Sequence, residues 1–436
     1  MYAGTLRGLL ARHVVLQVAT QAVALATGLA MAMVLSRHLG VEGFGGFNYL
    51  FAFIYIFLAL NDLGVNTIVV REISRQPERS GEIIGAMLSF RTIVALVTLG
   101  LSWAAILWMA FPPYLVWPLA LFSLLLPLNA LKLPITAFQA QLKIEYGAIA
   151  DVATRVSGLA LVLITVWLGW GLVAVAAALV ATDALSVVLI WRLARRLVRV
   201  QWRIDRDCWS SVLRSGLPLG LAGLLVALTN RVDFLMLERM VGMEPVGLYG
   251  AAYRITGVIE RFPQLIMITL YPVMARAAHA DVASLRRLYH RTVAGFTALA
   301  VPIVAATYWL GPWLLGRLFG RDFVAADPGL QMLIWSTAFL YVALAGGHLL
   351  ISVGWERVSM GAWIAGTVLN IGLNLVWIPR WGFVGAALAT ACTYALILVV
   401  TLVAAELALR RTVSAAPAMG GPPRADELSS DLVRGA

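Results

Sequence analysis

Residues 37–47, which read RHLGVEGFGGF, recur in altered form at residues 239–249, which read RMVGMEPVGLY. Both stretches follow the pattern R-x-x-G-x-E-x-x-G and carry an aromatic residue two positions later. A second pair of stretches, WGLV at 170–173 and WGFV at 381–384, lies at a similar spacing. Two such matches at corresponding places indicate that the second half of the chain is a copy of the first.

The sequence around both copies is apolar enough to cross a membrane. The 436 residues are 61% hydrophobic and 13% charged, with a mean hydropathy of +0.87. Soluble domains are about 45–50% apolar and about 25% charged, so this composition excludes a soluble enzyme, a nucleic-acid-binding protein and a disordered chain. Hydropathy and loop residues predict twelve membrane-spanning helices. They lie at 14–36, 46–70, 84–110, 114–138, 147–168, 171–193, 216–238, 247–272, 290–311, 328–350, 358–378 and 382–406.

The placement of Lys and Arg predicts the orientation of these helices. Most of the 33 basic residues fall on the side of the N-terminus, including a run of arginines between Arg192 and Arg214. Cytoplasmic loops are rich in Lys and Arg, so both termini are expected in the cytoplasm. The arginine run is expected to contact anionic membrane lipids. The formal net charge of +11 therefore has a membrane explanation and does not indicate a nucleic-acid partner.

The twelve helices divide into two blocks of six. Because six is even, both blocks cross the membrane in the same direction, as parallel repeats related by an axis along the membrane normal. The expected fold is an all-α polytopic membrane protein with two six-helix bundles around a central cavity. The predicted regions are an N-terminal lobe at 1–194, a basic cytoplasmic linker at 195–215, a C-terminal lobe at 216–406 and a disordered cytoplasmic tail at 407–436.

Several motifs resemble those of a known transporter family. They lie at 35–47, 62–64 and 71–75 in the first half and at 231–233 and 247–254 in the second half. Together they are similar to the polysaccharide-transporter branch of the MOP superfamily, and most of all to Wzx-type flippases of lipid-linked O-antigen and exopolysaccharide units. The resemblance implies a bacterial inner-membrane protein with an undecaprenyl-pyrophosphate-linked glycan as substrate. It also implies kinship with MATE-like exporters and a polysaccharide polymerase as a partner.

Four basic residues fall within the predicted spans: Lys132, Arg231, Arg254 and Arg261. A basic residue at the centre of a span costs about 2.5–3.5 kcal/mol on insertion scales, so each needs water, an acid or a ligand. Arg254 and Arg261 are seven residues apart and would share one face of a continuous eighth helix. Such a pair suits a pyrophosphate, because guanidinium groups bind phosphate oxygens bidentately.

These basic residues also have alternative interpretations. The arginine pair on the eighth helix could form internal ion pairs with Asp233, Glu260 or Asp62. Arg231 could instead extend to the outer interface and Lys132 to the inner one, as long basic side chains often do. In either case no substrate contact would be needed.

Four acids also lie within the predicted spans: Asp62, Asp183, Asp233 and Glu260. A buried carboxylate can carry a proton or bind sodium, which would couple transport to an ion gradient. Asp233, with Asn230 three residues earlier on the same helical face, is the main coupling candidate. Asp62 and Glu260 are further candidates. The alternative is that these acids pair with intramembrane arginines.

Two pairs of amide side chains could contribute to substrate binding. Gln17 and Gln21 are four residues apart, and so are Asn370 and Asn374, so each pair shares a helical face. Their amides could bind sugar hydroxyls. Hydrogen bonds between packed helices would explain them equally well.

These features favour a flippase that moves an undecaprenyl-pyrophosphate-linked oligosaccharide from the cytoplasmic to the outer leaflet by alternating access. No nucleotide-binding motif occurs in the sequence. No cofactor is therefore expected, and the energy would come from an ion gradient, the membrane potential or downstream consumption. The alternative is a MATE-like cation or drug exporter, which calls for an acidic and aromatic cavity. A membrane enzyme such as a glycan polymerase is disfavoured, because the predicted outer loops are too short to carry catalytic acids.

Overall fold

The computed structural model describes residues 2–109 and 111–415, and over this range the chain folds into α-helices joined by short turns. The α-helices are α1 (Tyr2–Asp62), α2 (Val65–Arg75), α3 (Ser80–Trp108), α4 (Pro113–Phe122), α5 (Leu125–Leu131), α6 (Ile135–Ala140), α7 (Ile144–Trp167), α8 (Leu172–Ala194), α9 (Arg206–Val241), α10 (Met243–Ile259), α11 (Arg261–Ala280), α12 (Val282–Leu318), α13 (Asp327–Ser352) and α14 (Glu356–Ala415). Two short 3-10 helices lie at Pro77–Arg79 and Arg321–Ala326. The described residues contain no strand, and the predicted all-α class is confirmed.

The first glycine of the repeat motif separates two helical segments in each half of the chain. Helix α1 is broken at Gly40, whose φ is 69°, and Gly242 separates α9 from α10 with a φ of 93°. Positive φ is readily accessible to glycine and strains other residues. The repeat therefore marks the turn between the first and second helical segments of each half. The second matched pair differs, because Gly382 breaks α14 with a φ of 57°, whereas Gly171 precedes α8 with a φ of −86°.

The second glycine of the motif brings the two copies together backbone to backbone. A Cβ atom at Gly45 would overlap the carbonyl oxygen of Met243, and a Cβ atom at Gly247 would overlap the carbonyl oxygen of Val41. These two contacts are equivalent, because Val41 and Met243 occupy the same position in the two copies. The copies meet here through a local two-fold relation, which is the relation expected of parallel repeats.

Eight helical stretches in the described part of the chain are long and apolar enough to cross a membrane. They are Leu16–Arg75, Pro77–Trp108, Pro113–Leu131, Glu145–Trp167, Leu172–Ala194, Val282–Leu318, Arg321–Ser352 and Glu356–Arg411. The first and last contain 60 and 56 residues, and each includes two predicted spans on either side of a glycine break. The two remaining predicted spans correspond to α9 and to α10 with α11, which carry charged residues. The chain is a multi-pass membrane protein.

Two of the predicted spans are interrupted. The proline-rich span predicted at 114–138 consists of the short helices α4, α5 and α6, and Pro134, which has no N–H group to donate, lies at the N-cap of α6. The span predicted at 247–272 ends as α10 at Ile259 and resumes as α11 at Arg261. The prediction of one continuous helix is therefore wrong here, and Arg254 and Arg261 lie on different helices.

Helices also extend into the predicted linker and tail. The Asp205 carboxylate accepts a hydrogen bond from the Cys208 N–H (3.0 Å) and caps α9, which begins at Arg206. The second half of the predicted linker is therefore helical. Helix α14 continues to Ala415 because the residues after 406 include Leu, Ala and Arg, which are good helix formers. The predicted disorder is thus wrong for 407–415, and residues 416–436 lie outside the described residues.

The chain falls into two compact units. The first comprises the residues up to Val258 together with Tyr308–Leu333 and Thr367–Ala389. The second comprises Ile259–Thr307, Ile334–Gly366 and the residues from Thr390 onward. Its core consists largely of aliphatic and aromatic side chains, such as Met267, Met274, Leu285, Tyr289, Phe296 and Leu349. The first unit combines segments from both halves of the sequence, whereas the second contains segments of the second half only. The division into lobes at 1–194 and 216–406 stays a prediction.

Candidate functional site

Helices α9 and α10 of the first unit carry a cluster of polar and charged side chains. The Tyr249 hydroxyl donates to Oδ2 of Asp233 (2.5 Å), and the Tyr253 hydroxyl donates to Oδ1 of Asn230 (3.3 Å). Asp233 and Tyr249 are the pair closer to Gly242 along the chain, and Asn230 and Tyr253 are the pair further from it. The two helices therefore run antiparallel at this point, and the turn brings their polar residues side by side.

Arg231 lies among aromatic rings. Its Cζ atom is 5.4 Å from the ring centre of Tyr55, 5.7 Å from that of Phe234 and 5.6 Å from that of Tyr253. Each such contact contributes about 0.5–1 kcal/mol at an exposed site, and more when the pair is desolvated. The Nε atom of Arg231 is buried and has no hydrogen-bond partner among the described residues. The predicted alternative, a side chain extended to the outer interface, does not describe this arrangement.

Arg254 is partly buried and lies with its Cζ atom 6.0 Å from the ring centre of Phe47 on α1. Arg254 directly follows Tyr253, whose ring centre lies 5.6 Å from the Cζ atom of Arg231, so the two positive charges are neighbours and repel each other. Within the described part of the chain, neither arginine forms an ion pair at 4.0 Å or less. Two like charges at membrane depth are unfavourable, and an anion bound between them would remove that cost. The arginine nearest to Arg254 in the proposed site is therefore Arg231. The sequence prediction had placed Arg261 in that role.

Arg261 and Glu260 belong to the second compact unit. Arg261 is exposed at the start of α11. The Glu260 carboxylate accepts a hydrogen bond from the Thr337 hydroxyl (3.3 Å), and the neighbouring carbonyl of Ile259 accepts one from the Tyr341 hydroxyl (2.7 Å). These contacts join the turn between α10 and α11 to α13.

Asp233 is almost fully buried, with 1% of its surface exposed. Its Oδ2 accepts the bond from Tyr249, and its Oδ1 accepts a bond from the Phe234 N–H (2.9 Å). Asn230 donates to the carbonyl of Val226 (2.8 Å) and accepts from a tyrosine. The predicted coupling pair therefore binds two tyrosines of α10. The carboxylate also interacts electrostatically with Arg231, so this acid and the arginine cluster are coupled.

Asp62 takes part in a partly buried network that the sequence did not reveal. The Arg91 guanidinium is 1% exposed and lies 3.6 Å from Asp62, and it also donates to Oδ1 of Asn66 (2.9 Å) and of Asn129 (2.8 Å). Asn66 in turn donates to Asp62 (2.6 Å). Asp62 is therefore an ion-paired acid, as the alternative interpretation proposed. The only sequence signal for the burial of Arg91 is its position inside the third predicted span, 84–110.

Lys132 pairs with Asp183 of α8 and donates a hydrogen bond to its carboxylate. The side chains are 22% and 20% exposed. The expected roles of Lys132, substrate binding or extension to the inner interface, are replaced in this conformation by an internal ion pair. It was invisible in the sequence because 51 residues separate the two partners.

The predicted amide pairs differ in their accessibility. Gln17 is exposed and Gln21 half-buried on α1. Asn370 and Asn374 are fully buried on α14, and Nδ2 of Asn374 donates to Oδ1 of Asn370 (3.0 Å). The asparagines therefore pack inside the protein in this conformation, whereas the glutamines are open to a ligand.

The aromatic lining was missing from the sequence prediction. Tyr55, Phe234 and Tyr253 lie around Arg231, and Phe47 lies against Arg254. These rings come from α1, α9 and α10. The signal that could have found part of it is local, because Tyr253 directly precedes Arg254 and Phe234 lies three residues after Arg231. The contribution of α1 depends on tertiary packing and has no such signal.

Two family models match the chain. A model described as "Polysaccharide biosynthesis protein" matches residues 11–278, and one described as "MatE" matches residues 218–376. Among curated proteins, the "Probable low-salt glycan biosynthesis flippase Agl15" of Haloferax volcanii is 25% identical over 151 residues. That match covers 34% of this chain and 32% of Agl15, so the chain spans about a third of that relative's length.

Solved structures show the same fold. A multidrug resistance MATE family transporter of the MOP superfamily, in an inward-facing conformation, superposes with a TM-score of 0.75 at 16% identity, covering 89% of this chain and 95% of the other. The lipid II flippase MurJ, in an inward closed conformation, superposes with a TM-score of 0.74 at 10% identity, covering 96% of both chains. At these identities the likeness establishes the fold alone.

Proposed function

Since the chain belongs to the polysaccharide biosynthesis protein family, we propose that it is a flippase for an undecaprenyl-pyrophosphate-linked oligosaccharide. It carries the glycan from the cytoplasmic to the outer leaflet of a bacterial inner membrane by alternating access, with both of its own termini in the cytoplasm. The observation that carries the proposal is the cluster of Arg231 and Arg254 among aromatic rings. The protein moves its substrate and does no covalent chemistry.

The chemistry of the cluster matches the substrate. A pyrophosphate carries at least two negative charges, and two guanidinium groups can neutralise it with bidentate hydrogen bonds. The four rings offer flat apolar surfaces for the non-polar faces of sugar rings, and the tyrosine hydroxyls can exchange hydrogen bonds with sugar hydroxyls. The exposed Gln17 and half-buried Gln21 are further candidates for sugar contacts. The polyprenyl tail would stay in the lipid.

The names of the relatives agree with this class of substrate. Agl15 is named as a glycan biosynthesis flippase and MurJ as a lipid II flippase. Membrane lipids are in contact with the spanning helices. A polysaccharide polymerase is the expected partner on the outer side of the membrane. The identity of the translocated oligosaccharide would determine whether the final polymer is an O-antigen or an exopolysaccharide.

A proton is the coupling ion that fits the contacts of Asp233. A proton neutralises this buried carboxylate without any further ligand, whereas a sodium ion would need several oxygen ligands around it. Protonation of Asp233 would remove a negative charge close to Arg231 and strengthen the hold of the cluster on an anion. Sodium binding, with Asp62 or Glu260 as ligands, is the second option.

A MATE-like cation or drug exporter is the alternative function. It is favoured by the match of the MatE model to residues 218–376 and by the fold. A cation binds best to an acidic cavity, and the positive charge of the arginine cluster opposes it.

A transport assay in proteoliposomes distinguishes the flippase from the cation or drug exporter. Purified protein is reconstituted with a fluorescent polyprenyl-pyrophosphate oligosaccharide, and in parallel with a cationic dye, under an imposed proton gradient. We expect flipping of the glycan lipid and no efflux of the dye. Dye efflux without flipping would replace the flippase with the exporter.

A further inference from the structure

The arginine that begins the repeat motif makes an equivalent bond in both copies. Nη2 of Arg37 donates to the carbonyl oxygen of Arg317 (2.6 Å) in the last turn of α12. Nη2 of Arg239 donates to the carbonyl oxygen of Met109, which is the C-cap residue of α3. Helices α3 and α12 correspond to the third predicted span of the first and second block. Each arginine therefore reaches from its own copy to the third helix of the other copy.

These bonds have a clear electrostatic basis. The last carbonyl groups of a helix lack intrahelical partners and carry a partial negative charge. A cation there contributes about 0.3–1 kcal/mol at an exposed position, and both arginine side chains are exposed. Arg239 also lies 5.7 Å from the ring of Phe111, and the Ser36 hydroxyl donates to the carbonyl of Phe319 (3.1 Å) just beyond α12. Each contact is weak enough to be broken and remade during transport.

We propose that Arg37 and Arg239, together with the ends of α12 and α3 that they cap, form an outer clasp that closes the external end of the substrate path. The clasp lies on the side of the membrane that the placement of Lys and Arg in the loops predicts to be external. Arg239 is eight residues from Arg231 along α9, or about 12 Å at the rise of an α-helix. Opening the clasp would therefore uncover the arginine cluster from outside. The release of a glycan lipid through this opening rests on the proposed function, but the closure itself does not.

The clasp is tested by thiol accessibility from the outside. Cys208 and Cys392, the two cysteines of the chain, are replaced by serine, and Tyr55→Cys serves as the reporter beside Arg231. Its labelling by a membrane-impermeant maleimide is measured in right-side-out vesicles. We expect Arg37→Gln and Arg239→Gln each to raise the labelling rate about two- to fivefold, and the double variant by about the product.

Two variants provide matched controls. Arg317→Gln should leave the rate unchanged, because the clasp uses the main-chain carbonyl of this residue. Arg37→Lys keeps a charged donor and should raise the rate less than Arg37→Gln.

A second reporter separates gating from unfolding. Leu349→Cys lies in the core of the second unit, where the native side chain is fully buried. A rate that rises at both reporters, or that stays unchanged in the double variant, would overturn the proposal. Faster labelling at Tyr55→Cys alone, together with no flipping of the glycan lipid by the wild type, would retain the clasp and reject the flippase.

Discussion

At the scale of single residues, the main feature is a pair of like charges, neither of which forms an ion pair at 4.0 Å or less within the described part of the chain. Arg231 and Arg254 repel each other, and aromatic rings compensate only part of the cost of holding them at membrane depth. Arg91 shows the contrasting solution, because an acid and two amide oxygens surround its guanidinium. On the proposed function, a bound anion would complete the first arrangement, whereas the second already pairs its arginine with groups of the protein.

Loss of either arginine of the cluster should weaken binding of the anionic headgroup. Arg231→Gln and Arg254→Gln each remove charge-assisted hydrogen bonds, which contribute about 1.5–3 kcal/mol. We expect each variant to bind a polyprenyl-pyrophosphate oligosaccharide about tenfold or more weakly in nanodiscs, as measured by fluorescence anisotropy. Arg286→Gln, on an exposed site of α12, is the control and should bind as the wild type does. Equal affinity in all four proteins would remove the cluster from the binding site.

Loss of Arg91 should lower stability. Arg91→Met removes the donor to the Oδ1 atoms of Asn66 and Asn129, and a polar group left without its partner inside a protein costs about 1–3 kcal/mol. Asp62 loses its cation but keeps the bond from Asn66, and its side chain is 37% exposed. The apparent melting temperature in detergent should fall by several degrees. Arg79→Gln is the comparison, since the Arg79 and Glu82 side chains are 55% and 36% exposed and such a pair contributes about 0–1 kcal/mol. Similar melting temperatures for both variants would show that the network is not stabilising.

At the scale of the helices, the repeat motif has a structural purpose at three of its fixed positions. Its arginine caps a helix end, its first glycine breaks the helix, and its second glycine lets α1 and α10 touch. The sequence predicted the duplication and the location of the break between helices. The contact partners could not be predicted, because each lies in the other copy of the repeat.

The glycines at the contact between α1 and α10 should not tolerate a side chain. Gly45→Ala and Gly247→Ala would each drive a methyl group into a main-chain carbonyl, and such overpacking costs about 1–3 kcal/mol. Each variant should melt at a lower temperature than the wild type. Gly28→Ala, elsewhere on α1 with open space around its Cβ position, should be neutral or slightly stabilising. A fall of the same size in Gly28→Ala would point to a general sensitivity of the helix and against the close contact.

At the scale of the whole molecule, a duplicated scaffold carries a site that is not duplicated. The positions equivalent to Arg231 and Arg254 in the first copy are Leu29 and Ala52. The cluster therefore belongs to the second copy, and α1 of the first copy supplies only aromatic rings. Duplicated helices with basic residues in only one copy are suited to a carrier that binds a single anionic headgroup.

Hydropathy and the repeat were sufficient to predict the fold class, because both depend on residue type and spacing along the chain. The choice of partner for each charge was not predictable in this way. Lys132 and Asp183 pair across 51 positions. Arg254 lies near Arg231 because the chain turns at Gly242 and places α10 beside α9. Spacing within one assumed helix could not anticipate either result.

The most direct test of the central claim is the flipping rate of the double variant Arg231→Gln/Arg254→Gln. The rate is measured with a fluorescent polyprenyl-pyrophosphate oligosaccharide in proteoliposomes, beside the wild type and Arg286→Gln at equal reconstituted amounts. We predict rapid flipping by the wild type and the control, and a rate about a hundredfold lower in the double variant, since each lost arginine contributes at least about one factor of ten. Flipping by the double variant at the wild-type rate would contradict the claim that these two arginines carry the headgroup.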